Sequence, residues 1–219
     1  MSLLLVYDIL FTSKRDKGDV FEMNNIEEIL KLMKQKKGVI TTKEVENLGI
    51  NRRVLPRMIE KRLIERVTNG VYIDIDTIED TYFTSQATCR KGIFSNDTAL
   101  YFHGLSDRTP IKYSFTIPSG YNTKLLKEKR YNFFYVKKEL HELGAIEMKT
   151  PYGKIIKIYD VERTICDIIK NKDKLDISIV TDAIKDYVKL KNKDLIKLHK
   201  YAKLLNIDDK VTKYLEILL

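Results

Sequence analysis

The strongest constraint on this chain is a tight turn. Thr68-Asn69-Gly70 lies between two β-rich runs, Leu63–Val67 and Val71–Ile75, and Asn-Gly in that setting is the strongest short-range hairpin signal. Helical patterns lead into it. Ile26, Ile29, Leu30 and Met33 recur at i, i+3, i+4 and i+7, a single buried stripe with Glu27, Glu28, Lys31 and Lys34 facing water. Lys36-Lys37-Gly38 ends that helix, placing cations at its negative end and a residue able to take positive φ after them. Val39-Ile40 reads as a short strand. Thr42 reads as the cap of a second helix, Lys43–Leu48, closed by Gly49, and Asn51 as the cap of a third running to Arg62.

The order helix, short strand, helix, tight turn, helix, hairpin predicts a winged helix-turn-helix over residues 23–78. An acidic stretch, Asp74, Asp76, Glu79 and Asp80, marks the boundary to a second region, 79–219. There Ile111–Pro118, Tyr131–Val136, Ala145–Met148 and Ile155–Tyr159 read as short strands. Beyond Asp160 four apolar stripes predict helices: Ile165 to Ile169, Ile179 to Val188, Leu195 to Leu205, and Val211 to Leu218. The expected class is α+β, a winged helix followed by a mixed domain of short strands and a C-terminal helical bundle. Residues 1–22 stand apart, with two readings. Lys17-Gly18-Asp19 can be encoded as AAAGGAGAT, a ribosome-binding sequence ahead of Met23, which would make the extension a non-native start; alternatively Leu3–Leu10 is a genuine leading strand.

Composition narrows the partners. The 219 residues carry 40 Lys+Arg against 31 Asp+Glu, net +9, so a polyanion is the natural ligand. The excess is uneven: residues 23–73 hold eleven bases and six acids, net +5, the same excess as the much longer stretch 74–219. No apolar run reaches the length of a membrane span, and Asp8 interrupts Leu3–Phe11. Cys89 and Cys166 form neither a disulfide framework nor a zinc spacing, so a reduced, cytoplasmic protein is expected.

In a helix-turn-helix the last helix enters the major groove. With Leu55 at the centre of the buried side, Met58, Ile59 and Arg62 fall beside it, while Arg53, Arg57, Glu60 and Lys61 point away. Guanidinium forks bind guanine or clamp phosphate, so Arg52, Arg53, Arg57 and Lys61 are candidate DNA contacts. Thr41, Thr42 and Asn51 sit at helix starts, where hydroxyls, amides and backbone N–H groups suit phosphate; Arg66 and Asn69 occupy the wing. Pro56 inside the third helix requires that helix to kink or to begin late.

Glu147-Met148-Lys149 resembles the Glu-x-Lys half of a metal-dependent nuclease site, with Asp97 or Asp107 as upstream acid. That pattern supplies the alternative function, a nuclease with a DNA-targeting winged helix. His103, His141 and His199 lack ligand spacing, and His199 falls on an apolar stripe as a core histidine. Without a phosphate loop or a Ser-His-Asp order, no enzyme activity, cofactor or metal is expected.

Ile93-Phe94-Ser95-Asn96-Asp97-Thr98-Ala99-Leu100-Tyr101-Phe102-His103-Gly104-Leu105 and Tyr159-Asp160-Val161-Glu162-Arg163-Thr164-Ile165-Cys166-Asp167 resemble the AbiEi family of antitoxins and transcriptional repressors of type IV toxin–antitoxin (abortive infection) systems. Gly38-Val39-Ile40-Thr41 and Asn69-Gly70-Val71-Tyr72 are similar to that family's winged-helix domain. The resemblance implies a repressor binding inverted repeats in the double-stranded operator of its own two-gene operon. It also implies an antitoxin countering a nucleotidyltransferase-type toxin in phage defence, without a tight complex between the two. Read from the residues alone, Asp160 caps the helix after it, Arg163 pairs with Asp167 at i+4, the run Ala99–Phe102 is core, and Gly104 stops a helix.

Overall fold

Ile26, Ile29 and Met33 lie on one side of the first helix and are all buried, which seats α1 (Lys17–Gln35) on the core that its periodicity announces. The structure, a computed structural model, describes residues 17–126 and 131–218. The strand reading at Leu3–Leu10 lies outside the described residues. α1 starts well before Ile26 and runs without a break across the 22–23 junction. Lys37 and Gly38 both take positive φ after it, and Gly38 N–H returns to Met33 O at 2.7 Å. A Cβ on Gly38 would collide with the Thr77 side chain, so glycine is required there for space as well as for φ.

β1 (Val39–Thr41), α2 (Thr42–Asn47), α3 (Val54–Glu60), β2 (Ile64–Thr68) and β3 (Val71–Asp74) follow. The three strands form an antiparallel sheet in the order β1-β3-β2. Ile40, Val45, Ile50, Leu55, Met58, Ile64 and Tyr72 complete an apolar core with the α1 stripe. At about 1.5–3 kcal/mol for each large side chain removed from water, this core is the main term holding these elements together. The chain divides into two compact units, one ending at Glu79 and the other beginning at Asp80.

The second unit contains α4 (Thr81–Thr88), β4 (Ile93–Phe94), α5 (Asn96–Phe102), β5 (Tyr113–Pro118), β6 (Tyr131–Val136), β7 (Ala145–Lys149) and β8 (Ile155–Tyr159). Its helices α6 (Val161–Lys170), α7 (Ile177–Lys189), α8 (Leu195–Leu204) and α9 (Asp208–Leu218) close the chain. The class is α+β. The five strands run in the order β6-β5-β4-β8-β7, with β5–β6 and β4–β8 parallel and the other two pairings antiparallel. β4, the central strand, went unread in the sequence because two residues are too few for any period. It is held by Ile93 and Phe94, which are buried, and by pairing on both sides.

Helix α6 is buried from Glu162 to Asp167 and on to Ile169, charged residues included. Asp160 caps it, accepting from Arg163 N at 2.8 Å. The Arg163 guanidinium is fully buried: Nε donates to Asp167 Oδ1 at 3.0 Å, Nη1 donates to the carbonyls of Leu140 and Leu143, and the group stacks 4.2 Å from the Tyr159 ring centroid. A Cβ on Gly144 would press to 2.7 Å from Arg163 Cβ, so the loop closes over the arginine only with glycine there. Burial alone would depress the guanidinium, but Asp167 beside it more than restores its charge. The Asp167 carboxyl moves up, since complete burial costs it more than one guanidinium returns. Arg163 Nη2 and Asp167 Oδ2 make no hydrogen bond among the described residues, in keeping with that balance.

On α8, Leu198, Tyr201, Ala202 and Leu205 face the core, whereas His199 is exposed. The core reading of His199 is therefore corrected. The buried set follows i, i+3, i+4, i+7 from Leu198, and His199 stands one step off it. In α5, Ala99 and Leu100 are fully buried, and Gly104 stops the helix at φ +66° as Leu105 N–H reaches back to Leu100 O. Among the described residues, no helix is long and apolar enough to cross a membrane.

Candidate nucleic-acid interface

The first structural surprise is at the start of α2. Thr41, not Thr42, is its N-cap, and the reason is three residues on: Thr41-x-x-Glu44 is a capping box. Thr41 Oγ1 accepts from Glu44 N at 3.3 Å, while Thr41 N–H and its hydroxyl donate to Glu44 Oε2 at 2.7 and 2.9 Å. Lys36 pairs with the other carboxylate oxygen. Burial pushes Glu44 up, but the bonds from Lys36 and Thr41 outweigh it and hold the carboxyl below its ordinary value. The Thr41 hydroxyl is thus committed inside the protein, as donor and acceptor at once. Thr42 is half-buried at the first helical position, with its N–H bonded to Gly70 O at 3.0 Å. That bond ties the start of α2 to the hairpin tip.

Helix α3 begins at Val54, later than a cap at Asn51 implies. Asn51 Oδ1 instead accepts from Arg53 N at 3.0 Å, closing a turn through Arg52 and Arg53 that feeds into the helix. The late start accommodates Pro56. It becomes the third helical residue, in the first turn, where a missing N–H leaves no intrahelical bond unmade. The late start also shifts the buried face to Val54, Leu55 and Met58. Ile59 is 36% exposed and Arg62 is exposed, which corrects their assignment to the buried side. Arg62 lies beyond the helix at φ +53°, in the left-handed position that ends it, with Leu63 N–H bonded to Met58 O.

Arg52, Arg53, Arg57 and Lys61 are all exposed. Arg57 is paired with Glu22 of α1, a distant partner that no local spacing in the sequence signals. At the hairpin, Arg66 Nη2 donates to Asn69 Oδ1 at 2.6 Å and Nε reaches Thr68 O at 3.4 Å. Gly70 takes φ +77° whereas Asn69 stays at negative φ, and the register shifts between Arg66 and Thr68. The turn is therefore not the doubly left-handed type that Asn-Gly favours most, and a bulge absorbs the difference.

The nine candidate residues fall into two groups within the first unit. Thr41, Thr42, Arg66 and Asn69 gather around the hairpin tip, linked by β1–β3 pairing and the bonds above. Asn51, Arg52, Arg53, Arg57 and Lys61 belong to the turn and helix of α3. Chemically the second group offers guanidinium forks to an anion, whereas the first is already bonded within the protein.

The nuclease pattern finds less. Glu147 and Lys149 are exposed on β7, an edge strand of its sheet. Among the described residues no group of three His, Cys, Asp or Glu side chains is disposed to hold a metal ion. His103 Nε2 bonds Tyr159 O at 2.7 Å, and burial lowers its pKa. His141 is buried with Nε2 3.3 Å from Thr116 O.

No family model and no curated protein matches the chain. Among solved structures, the fold is similar to the crystal structure of RV2827C protein from Mycobacterium tuberculosis, with a TM-score of 0.57 at 11% identity, over 88% of this chain and 73% of that one. At that identity the likeness concerns the fold alone.

Proposed function

We propose that this protein is a DNA-binding transcriptional autorepressor and the antitoxin of a type IV toxin–antitoxin operon, acting in the cytoplasm against a nucleotidyltransferase-type toxin. The observation that carries the DNA reading is the exposed arginine series, Arg52 and Arg53 in the turn that feeds a short helix and Arg57 on that helix. A capped helix precedes that helix and a hairpin follows it. In a winged helix-turn-helix this is the groove-entering helix, and Arg53, in the turn at its start, is the residue nearest the base edges. Arg57 reaches phosphate once it exchanges Glu22 for the polyanion. Lys61 serves the backbone, with Arg66 and Asn69 presenting the wing. The antitoxin half rests on the two long segments resembling the AbiEi family, which lie in the second unit. The operator is a pair of inverted repeats, and toxin control proceeds without a tight protein complex.

The test is a binding measurement on the promoter fragment upstream of the protein's own gene, with Arg53→Ala and Arg57→Ala singly and together. If Arg53 reads a guanine, its loss costs about 1–3 kcal/mol and relaxes specificity at one position. If Arg57 holds phosphate, all sequences weaken alike and the salt dependence falls by about one unit. A double variant that binds like the parent at physiological salt removes α3 from the groove and defeats the reading.

A further inference from the structure

Glu147-Met148-Lys149, the tripeptide that gathers no metal cluster, occupies the middle of edge strand β7. β7 bonds β8 along one side, and the alternation of an antiparallel ladder fixes which of its residues look the other way. Lys157 of β8, directly opposite Glu147, gives both backbone groups to the Gln86 side chain: its N–H donates to Oε1 and its carbonyl accepts from Nε2, each at 2.7 Å. At the ends of the pairing, Asp160 N–H reaches Gly144 O and Thr150 N–H reaches Lys154 O, both at 2.8 Å. The even-numbered residues of β7 therefore bond β8, and Glu147 and Lys149 turn their N–H and C=O groups outward. Among the described residues those groups have no hydrogen-bond partner. The free edge is short. Ala145 N–H, the next donor on that side, is taken by Glu142 O at 3.1 Å, and Pro151 beyond Lys149 has no N–H.

We propose that β7 pairs with β7 of a second copy of this chain, antiparallel about a two-fold axis at Met148, so that the sheet continues from one molecule into the other. Charge selects the register. Outward-turned residues must meet outward-turned residues, so the axis can move only from one residue of β7 to the next. At Glu147 it sets carboxylate against carboxylate; at Lys149 it sets ammonium against ammonium and gives Glu147 a proline for a partner. At Ile146 it offers Glu147 the Ala145 N–H that is already spent. At Met148 it places Glu147 opposite Lys149 of the second copy, twice, each pair exchanging both of its backbone hydrogen bonds. Glu147 and Lys149 share a face of the sheet with Lys157 and Ile155, and all are exposed. Across the joined edge they form a row, Lys157 and Glu147 followed by Lys149 and Ile155 of the second copy, in which each Glu147 lies between two lysines. On the other face half-buried Met148 meets its counterpart, and Ile146, 37% exposed, loses water. Charges on an edge strand ordinarily keep other strands away. Here they reject every register but one. Two short hydrogen-bonded pairs and exposed ion pairs make a weak dimer, smaller than a standard interface.

The experiment is sedimentation of the full chain at rising concentration and low salt, beside amide hydrogen exchange read by NMR. The parent is expected to dimerise, less so as salt rises, and association is expected to protect the amides of Glu147 and Lys149. The amides of Ala145 and Met148, already bonded within one copy, should not change. Glu147→Lys and Lys149→Glu, both at exposed positions, each bring like charges together across the edge and should weaken the dimer about tenfold. Mixed in equal amounts, these two variants have complementary edges and are expected to pair with each other as the parent pairs with itself. The mixture also covers the case of a folding defect, which a complementary charge on another molecule cannot repair. Glu147→Pro removes a donor that no bond within the copy uses and should abolish the concentration-dependent protection at Lys149. Restored pairing in the mixture, with protection at both amides of the parent, upholds the proposal. A parent that stays monomeric at about millimolar concentration, a dimer that both charge variants form as well as the parent does, or a mixture no tighter than its components overturns it. No DNA enters these measurements, so their outcome is separate from that of the repressor reading.

Discussion

The two units use charge in opposite ways. Among the described residues of the first unit no charged side chain is buried; Ile29, Met33, Ile40, Leu55 and Met58 make its interior, and Lys and Arg stand outside. The second unit buries Asp80, Asp160, Glu162, Arg163 and Asp167 and joins them across elements. Lys197 of α8 pairs with Asp160 at 3.0 Å and Glu162 at 3.3 Å, and Tyr201 OH donates to Asp160 at 3.1 Å. An apolar interior keeps Lys and Arg side chains at the surface, where a polyanion can reach them. A buried ionic interior spends its charges on geometry, because only one arrangement satisfies them.

The largest expected effect breaks the second pattern. Arg163→Ala leaves Asp167 buried without its cation and strips donors from the Leu140 and Leu143 carbonyls, so it should destabilise the second unit by about 3–5 kcal/mol. Guanidinium unfolding measures this directly. Arg163→Met/Asp167→Leu, which removes both charges and keeps volume, should recover most of that loss. Equal destabilisation by the single and double variants would mean that packing, not charge pairing, holds α6 in place.

In the first unit the comparable lesion is milder, since its polar bonds lie at the surface. Thr41→Ala should cost about 0.5–2 kcal/mol by uncapping α2. The same box predicts a pH dependence. Glu44 has a folded pKa below its unfolded value, so its contribution is full above the unfolded pKa and is lost as pH falls through the folded one. The stability difference between parent and Thr41→Ala should therefore shrink in acid. A difference that stays constant from neutral pH to below the carboxylate range would show that the box contributes nothing through charge.

The smallest effect concerns availability of charge rather than stability. Glu22→Gln removes an exposed ion pair from Arg57 and should alter stability by no more than about 1 kcal/mol. It should nonetheless tighten low-salt binding to DNA of any sequence, because Arg57 no longer has a carboxylate to leave. Unchanged affinity would place Arg57 outside the contact.

Much of this fold can be read from local patterns. The α1 stripe, the hairpin around Asn69-Gly70, the strands at 131–136 and 155–159, the Asp160 cap and the Arg163–Asp167 pair all depend on residues a few positions apart, where period and turn chemistry act without help from the rest of the chain. Even the Thr41 cap was written locally, as Thr-x-x-Glu. What only the tertiary structure decided depends on distant partners. β4 is two residues long and exists because β5 and β8 flank it. The start of α3, and with it the harmless place of Pro56 and the exposure of Ile59, emerges only in the folded unit. Arg57 meets a carboxylate 35 residues earlier in the chain, and β7 is left at the edge of its sheet. Side-chain periodicity states which face of an element is apolar. Which distant group covers that face, and which charge is left without a partner, is settled by packing.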